Sequence, residues 1–396
     1  RDMIIQDRQA QTSYQIDGVA AQLNHRDDEF HTQFSASLPE ELGRRVLIKS
    51  VLDSERSEIY INSSDLQLSR IAGLLDLDTW GLQQGTLDGE VWLSMSGYDV
   101  NAVNGNMLLK QGLLQTSPDK TPLAVDYSAR FNAIDRESSW TVTSQVERLQ
   151  INGDNVPGFR TQFEITTGSE YPAISAWMDR VKVSSLPAIA GQWLPQNVSQ
   201  QIASKKLQGT LRDLVLGIEL ERPEDFRISG QAVQVSSEAF EGYPGVANLN
   251  AEFLLGTRRL QARVFGEAVR LDFSDEFEAP FEFDSLQLDV VANRLESGDL
   301  VLSADNIMAR NEDTSINGRM WLVADQAEQP FVFMRANFTD TDASSTHKYL
   351  PLKALSAETL GWLRRGIKKG FVPRGDFQLH GRLRDVRELG RDRAGE

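Results

Sequence analysis

The sequence predicts a mainly β protein in which a long, antiparallel and highly curved sheet forms an open hydrophobic groove, built from repeated β-meander units with short helical crossovers. Three observations support this prediction. About 20 segments alternate apolar and polar residues, as strands with one buried face do. Turn residues recur between them at intervals of about 8 to 12 positions. Only three stretches space their apolar residues as a helix does, so the strand content is far above the average for globular proteins.

The alternation places the strands one after another along the chain. A first meander covers 14–61, with turns at Asp17-Gly18, Asp27-Asp28, Gly43 and Asp53-Ser54. Later strands are predicted at 87–95, 107–114, 123–131, 140–146, 159–165, 174–183, 207–220, 228–235, 246–255, 260–265, 269–273, 281–291, 300–302, 316–323 and 331–338, followed by a last strand from 377 to 383. Pro157-Gly158 has the residues of a type II turn and predicts the hairpin that returns at Phe159.

Three stretches with helical spacing interrupt these strands, and each is followed by Leu-x-Gly, with the glycines at Gly89, Gly209 and Gly381. The apolar residues concerned are Leu68, Ile71 and Leu75 in the first stretch, Val198 and Ile202 in the second, and Leu360, Leu363 and Ile367 in the third. A recurring order of strand, helix and Leu-x-Gly strand is typical of repeat proteins. It predicts β-groove units at 1–85, 86–206 and 207–385, each with its helical stretch, and a polar tail at 386–396.

Composition excludes several classes of function. The 396 residues carry a formal net charge of −16, which opposes binding to nucleic acid and docking of a basic face on anionic lipid. No cysteine is present, so disulfides and thiolate metal sites are excluded. The longest apolar runs are far shorter than the roughly 18 residues of a membrane-spanning helix. Because the chain begins with Arg1, we expect it to be a segment of a longer protein whose membrane anchor lies elsewhere.

Catalytic and metal-binding patterns are weak in this sequence. The segment from His25 to His31 combines imidazoles and carboxylates, but its Asp27-Asp28 pair is typical of a hairpin turn, and we favour that interpretation over a metal site. No phosphate-binding glycine loop or nucleophile elbow is found. We therefore expect no enzyme activity, no cofactor and no metal. The cations at 364–369 are expected to complement a helix C-terminus rather than to bind lipid headgroups.

The width of the predicted sheet suggests what its apolar face does. At a strand separation of about 4.8 Å, some 20 strands would span roughly 95 Å, and a flat sheet of that width would leave its apolar face in water. Repeated units favour a sheet that curls into an open trough over closure into a sandwich or barrel. The residues predicted to line the groove are Leu87, Val91, Leu93, Leu207, Leu211, Phe253, Leu255, Phe281, Phe283, Leu286, Leu288, Val290, Phe331, Phe333, Phe377, Leu379 and Leu383.

Several of these segments also resemble a known family. The C-terminal patches are Tyr349-Leu350-Pro351, Trp362-Leu363, Gly370 and Leu379-His380-Gly381 with Asp385, and an earlier patch is Val269-Arg270-Leu271-Asp272-Phe273 before Trp321-Leu322. Together they resemble the YhdP-type branch of the AsmA-like bacterial envelope proteins, over most of the chain and most strongly from 181 to 385.

The resemblance implies a periplasmic, inner-membrane-anchored bridge in a Gram-negative bacterium. Its hydrophobic channel would conduct glycerophospholipids towards the outer membrane and so support the outer-membrane permeability barrier. The expected partners are phospholipid acyl chains, the inner membrane through an anchor outside this segment, and outer-membrane proteins, with no nucleic acid.

Two other functions compete with lipid transport. A structural or adhesive β-repeat protein would fill its interior with its own side chains and hold no ligand. A glycan-binding or glycan-cleaving domain would need a ladder of exposed aromatic residues. Trp92, Trp140, Trp177 and Trp321 lie singly within predicted strands, which favours the lipid groove.

Overall fold

The computed structural model confirms a mainly β protein, with 75% strand and 7% helix. It describes residues 3–7, 12–53, 55–71, 81–118, 120–136, 138–166, 172–190, 206–239, 244–273, 277, 279–324, 330–349 and 357–382. The described part contains 21 strands. The chain divides into two units: unit 1 comprises Arg1–Val181, Ser185–Ser199 and Gly217–Glu221, and unit 2 comprises Lys182–Ser184, Gln200–Leu216 and Arg222–Glu396.

Unit 1 is an open antiparallel ladder in which each strand pairs with the next one along the chain, except that β11 returns to β9 beside the short β10. Its strands are β1 Met3–Asp7, β2 Thr12–Arg26, β3 Glu29–Ser37, β4 Arg45–Leu52, β5 Arg56–Gln67, β6 Leu82–Ser96, β7 Asp99–Leu114, β8 Leu123–Asp135, β9 Ser139–Ile151, β10 Asp154–Val156, β11 Phe159–Thr166 and β12 Ala173–Lys182. Its short helices are α1 Leu68–Ile71 and α2 Leu186–Ala190, and the 3₁₀ turn η1 Val183–Ser185 precedes α2.

Unit 2 repeats this arrangement from β14 to β21, again with neighbours in chain order. Its strands are β14 Arg222–Ser237, β15 Gly245–Gly256, β16 Arg259–Asp272, β17 Phe281–Arg294, β18 Leu300–Arg310, β19 Ser315–Ala324, β20 Phe331–Asp342 and β21 Phe371–Arg382. β13, Gln208–Glu219, contributes residues to both units. The 3₁₀ helix η2, Ala343–Tyr349, and the helix α3, Ala357–Gly366, lie between β20 and β21.

Beta-bulges bend the strands of both units. The register shifts at Asp65 in β5, at Gln111 in β7 and at Gln234 in β14, and each of these residues has a positive φ. In each case the amide of the bulged residue donates to the side chain opposite on the next strand: Asp88 at 2.7 Å, Asp126 at 2.7 Å and Asn250 at 3.0 Å respectively. Because a bulge increases twist and bends its strand, this repeated feature accounts for the curvature.

The buried side chains of each unit gather at one end of its strands. In unit 1 this packed end contains Ala129, Val146, Leu149, Ile151, Val156 and Phe159. In unit 2 it contains Val269, Phe283, Leu286 and Ala309, with Tyr349 of η2 against them. At the other strand ends of unit 1 the apolar side chains are exposed, as Phe30 at 47% and Phe163 at 42% illustrate. Each unit is therefore closed at one end of its strands by a small core.

One predicted turn and one predicted strand break differ from the structure. The hairpin after β9 turns at Asn152-Gly153, both with positive φ, as in a type I′ turn. Pro157-Gly158 instead lies between β10 and β11, which both pair with β9. The predicted strands 260–265 and 269–273 form one strand, β16, because Ala268 is accommodated as a bulge with φ of 49°.

The predicted boundary at residue 85 falls inside β6, and the division into three units stays a prediction.

Candidate functional site

One face of the unit 1 ladder is mostly apolar and carries no charge in its central row. Antiparallel partners lie on the same face of a sheet, so the register defines rows of side chains that cross the strands. One row on this face, from β2 to β12, reads Ala21, Phe34, Ile48, Ile61, Val91, Gly105, Phe131, Ser144, Thr161 and Met178. It contains no charged residue, and ten strands at about 4.8 Å give it a span of roughly 43 Å. We call this the inner face of unit 1.

Unit 2 has an equivalent inner face. A row from β14 to β21 reads Gly230, Phe253, Ala262, Val290, Ala304, Met320, Met334 and Leu379. All eight residues are apolar or glycine, and eight strands give a span of roughly 34 Å. The residues that alternate with them point to the opposite, outer face. Both units thus present an apolar surface that is long across the strands.

The inner faces are not covered by a second layer of side chains. Among the described residues, only three large side chains, Leu68, Val146 and Val269, are less than 2% exposed. The accessible surface of the chain is 25594 Å², whereas two compact globular domains of half its mass would together expose about 19,000 Å². Apolar side chains in the middle of the rows are only half-buried, as Val91 and Val290 are. The inner faces are therefore available to a ligand.

Twelve of the predicted groove residues lie on an inner face. They are Leu87, Val91 and Leu93 in unit 1 and Phe253, Leu255, Phe281, Phe283, Leu286, Leu288, Val290, Phe377 and Leu379 in unit 2. Leu207 precedes β13 and Leu211 lies within it, both half-buried. Leu383 lies outside the described residues. Whether any of these residues contacts lipid stays a prediction.

Phe331 and Phe333 do not belong to the inner face, which corrects the predicted set. Phe333 pairs with Trp321 and His380, and Phe331 pairs with Val323, all in the row of polar and aromatic residues on the outer side. The indole of Trp321 stacks on Phe333 at 5.3 Å between ring centroids, and His380 lies edge-on to Phe331 at 5.0 Å. Their inner-facing neighbours in β20 are Val332 and Met334, which alternation alone did not separate from the flanking phenylalanines.

Sequence reasoning also missed several inner-face residues and the polar anchor of unit 2. Ile59, Phe131, Val264, Met320 and Met334 all lie on the inner faces, and the alternation of their strands was a sufficient signal for them.

The polar anchor had no sequence signal, because it joins the β18–β19 turn to η2. The carboxylate of Asp313 accepts from Ser345 at 2.6 Å, from Lys348 at 2.7 Å and from the hydroxyl of Tyr349 at 3.2 Å.

The electrostatics of this anchor favour a charged pair. Burial opposes ionisation of Asp313, whose side chain is 10% exposed, but the bonds from Lys348 and Ser345 outweigh burial and lower the pKa of the carboxyl. The bond to Asp313 raises the pKa of Lys348. Burial raises the pKa of Tyr349, whose ring stacks on Phe281 at 5.6 Å. Tyr349 therefore covers the packed end of unit 2 with its ring while its hydroxyl joins the polar anchor.

The outer face of unit 1 carries an ordered polar row, offset by one residue from the inner row. It reads Gln22, Gln33, Lys49, Tyr60, Trp92, Asn104, Asn132, Thr143, Gln162 and Trp177. Trp92 and Trp177 thus share one cross-strand row, and Trp92 contacts Tyr60 at 5.1 Å between ring centroids. As the sequence predicted, each of the four tryptophans lies singly in its strand, and Trp92 and Trp177 are five strands apart in this row.

The histidine segment of the β2–β3 hairpin does not converge on one point. His25 pairs with Phe30 on the inner face, and their rings lie 4.6 Å apart. His31 is the next residue along β3, so it lies on the outer face, where it pairs with Glu29 at 3.0 Å. Asp27 and Asp28 both have positive φ and form the predicted turn. Within the described residues, no group of three or more potential metal ligands was found.

An open, curved sheet with an uncovered apolar inner face defines a class of β-groove proteins. Within that class, the model of the family described as "YhdP protein" matches residues 2–388, and the chain belongs to this family. It is therefore a bacterial envelope protein. Comparison with curated proteins and with solved structures found no match. In the part of the chain that the structure describes, every helix is too short or too polar to cross a bilayer.

Proposed function

We propose that this chain is a segment of a periplasmic, bridge-like lipid transport protein whose inner faces conduct glycerophospholipids between the inner and outer membranes. In this proposal the acyl chains lie against the inner faces, and the headgroups stay in water along the open side. The chain would act without catalysis. An anchor elsewhere in the protein would hold it at the inner membrane, and outer-membrane proteins would receive the lipid.

The observation that supports this proposal is the predominantly apolar and wholly uncharged character of the inner rows, in which Ser144 and Thr161 of unit 1 are the polar members, together with their exposure. Uncovered apolar area of this extent is unfavourable in water, at about 25 cal/mol per Å². A groove that its own side chains do not fill is stable when another apolar molecule covers it. The absence of any charged residue in the two inner rows fits an acyl chain, which offers no partner to a charge.

The proposed mechanism of lipid movement depends on the same inner rows. Moving an acyl chain through water exposes its methylenes, at about 0.8 kcal/mol each. A continuous apolar strip keeps most of that surface covered at each step, so the barrier to sliding falls. A passive strip of this kind does not set a direction, so net flow would follow the difference in lipid chemical potential between the membranes.

Two adjacent valines provide a matched test of this function. Val290 lies on the inner face of β17 and Val291 on its outer face, and both are half-buried. Val290→Asp places a carboxylate against the proposed acyl path, and we expect the lipid that co-purifies with the protein to fall by about tenfold, because desolvating a charge costs several kcal/mol. Val291→Asp should leave it unchanged. Native mass spectrometry of the purified protein, with lipid extraction, measures both.

The same two variants can be tested in cells. Val290→Asp should increase the sensitivity of the outer membrane to detergent and large antibiotics, whereas Val291→Asp should not. If both proteins fold, as circular dichroism would show, and both retain lipid equally, the conduit proposal fails. A wild-type protein that carries no lipid would favour a structural or adhesive role instead.

A further inference from the structure

We infer that the outer face of unit 1 is a binding site for a glycan chain of N-acetylated sugars, the polymer type of bacterial cell walls. This site would lie on the opposite side of the sheet from the proposed lipid path. Its core consists of six consecutive residues of the outer row: Gln33, Lys49, Tyr60, Trp92, Asn104 and Asn132. These residues lie on six consecutive strands, so the site runs across the strands.

The geometry of the row supplies a platform and a depression beside it. Trp92 is 43% exposed although it lies in the middle of a fifteen-residue strand. Tyr60 packs beside it, and its hydroxyl donates to Glu90 at 3.2 Å, which fixes the orientation of the phenol ring. A depression of about 430 Å³ extends from Trp92 across four further strands to Gln22. This depression has room for a chain of sugar rings rather than for a single small ion.

The chemistry of the row fits hydroxyl and acetamido groups. A primary amide both donates and accepts hydrogen bonds, so it can pair with a sugar hydroxyl or with the amide of an N-acetyl group. An exposed indole offers a flat apolar surface with a polar edge, which suits the C–H face of a pyranose ring. Among the described residues, the amides of Gln22 and Gln33 and the amine of Lys49 make no hydrogen bond or ion pair to other side chains. These groups are therefore free to contact a ligand, whereas the side-chain amide of Asn132 donates to the side-chain carbonyl of Asn104.

The repeat of the row favours a polymer. Strands are about 4.8 Å apart, so the row offers a polar or aromatic group at regular intervals over roughly 43 Å. Trp177 lies five strands from Trp92, about 24 Å along the row, and the guanidinium of Arg160 lies over its ring at 5.8 Å, so Trp92 is the exposed aromatic surface of the row. Lys49 is the one charged residue in the row, and a single cation does not match a polyphosphate, whose binding depends on many cations. A mostly uncharged glycan fits better.

The outer face of unit 2 is a useful contrast because the cross-strand neighbours of its equivalent aromatic residue, Trp321, are Ser303 and Phe333 rather than amides. The row through Trp321 contains Ser229, Leu254, Gln261, Val291, Ser303, Phe333 and His380. Trp321 is 38% exposed and Leu254 is 44% exposed. Trp321 has similar exposure to Trp92, but its row has no counterpart of the neighbouring free amides of Gln22 and Gln33. Trp321→Ala is therefore a matched control for Trp92→Ala.

The test measures binding of the full chain to two probes: N-acetylglucosamine hexamer by calorimetry and purified cell-wall sacculi by co-sedimentation. We expect saturable binding of both, no measurable binding of cellohexaose, which lacks acetamido groups, and a loss of about tenfold in affinity in Trp92→Ala, the range that a lost aromatic contact allows. Trp321→Ala should bind as wild type. Gln33→Ala, which removes a side chain without a partner and should not affect folding, should weaken binding by severalfold.

Three results would overturn the inference. They are no saturable binding of either probe by the wild-type chain, equal binding of cellohexaose, and equal weakening by Trp92→Ala and Trp321→Ala. The lipid content of Trp92→Ala, measured in the same preparations, should equal that of the wild type. Loss of lipid from Val290→Asp without loss of glycan binding would separate the two faces, so either proposal can fail while the other stands.

Discussion

The packed ends of the two units close the same kind of apolar face with different chemistry. In unit 1 the cluster around Val146 and Phe159 consists entirely of aliphatic and aromatic side chains, and Ala188 of α2 packs against it. In unit 2 a smaller cluster around Val269 is covered by Tyr349, which the Asp313–Lys348 pair helps to anchor. The packed end of unit 1 is stabilised by burial of apolar surface, whereas that of unit 2 is stabilised partly by hydrogen bonds and an ion pair. The two ends should therefore respond differently to truncation, to charge removal and to pH.

The largest expected effect is from Phe159→Ala at the packed end of unit 1. Phe159 is 7% exposed, and truncating a buried phenylalanine costs about 3–5 kcal/mol. Hydrogen exchange of the full chain, followed by mass spectrometry, should show faster exchange in β9 and β11 and little change in β16 and β17. The matched control is Phe163→Ala on the same strand, where 42% exposure predicts a loss of less than about 1 kcal/mol. Equal losses would mean that unit 1 has no packed end distinct from its open end.

A smaller effect is expected from Asp313→Ala in unit 2. The substitution leaves Ser345, Lys348 and Tyr349 without their shared acceptor, which should cost about 2 kcal/mol. Exchange should rise in η2 and in the β18–β19 turn, while β9 and β11 stay protected. Asp284→Ala removes an exposed carboxylate of the same unit and should change nothing measurable. If Asp313→Ala leaves η2 protected, Tyr349 is held by its ring alone and the contrast between the ends disappears.

The pH dependence of Asp313 sharpens this contrast. The pKa of its carboxyl is lowered from the ordinary 3.8, so the stabilisation is present above pH 3.8 and is lost as the pH falls through the lower folded-state value. The difference in unfolding free energy between wild type and Asp313→Asn should therefore be full at pH 6 and shrink below about pH 3.8. Urea unfolding followed by circular dichroism at a series of pH values measures it. A constant difference down to pH 2 would contradict the assigned ion pair.

Much of the fold could be predicted because it depends on local alternation. Strand type, chain-order pairing and the apolar side of most strands follow from a period of two, which burial on one face imposes. Alternation does not show which side chains face inwards where adjacent positions of one strand are both apolar. Phe331, Val332 and Phe333 are consecutive, and only the register to Trp321 and Leu322 shows which of them faces inwards.

Features that join distant segments could not be predicted. The Asp313 anchor links residues that are 32 to 36 positions apart, with β19 and β20 between them, and neither its carboxylate nor its partners form a motif. The outer row is a property of nine successive registers, so a tryptophan that looks isolated in sequence has neighbours only in the sheet. The Leu-x-Gly repeats show that equal sequences can occupy different positions in their strands. Gly209 is near the start of β13, whereas Gly381 is near the end of β21.

The smallest expected effect concerns how the units bend. In unit 1 the backbone amides of the bulged residues Asp65 and Gln111 each donate to a carboxylate on the next strand. In unit 2 the bulged residue Ala268 adopts a φ of 49°, and its methyl side chain cannot form a hydrogen bond.

A left-handed alanine costs on the order of 1 kcal/mol or more, and glycine relieves it at an entropic cost of about 0.5–1 kcal/mol. Ala268→Gly should therefore stabilise unit 2 by about 0.5 kcal/mol or less. Ala262→Gly, in the same strand but with ordinary geometry, should destabilise it by about 0.5–1 kcal/mol. Urea midpoints of the two variants give opposite signs if the bulge stores strain. The same sign in both would mean that β16 bends without strain at Ala268.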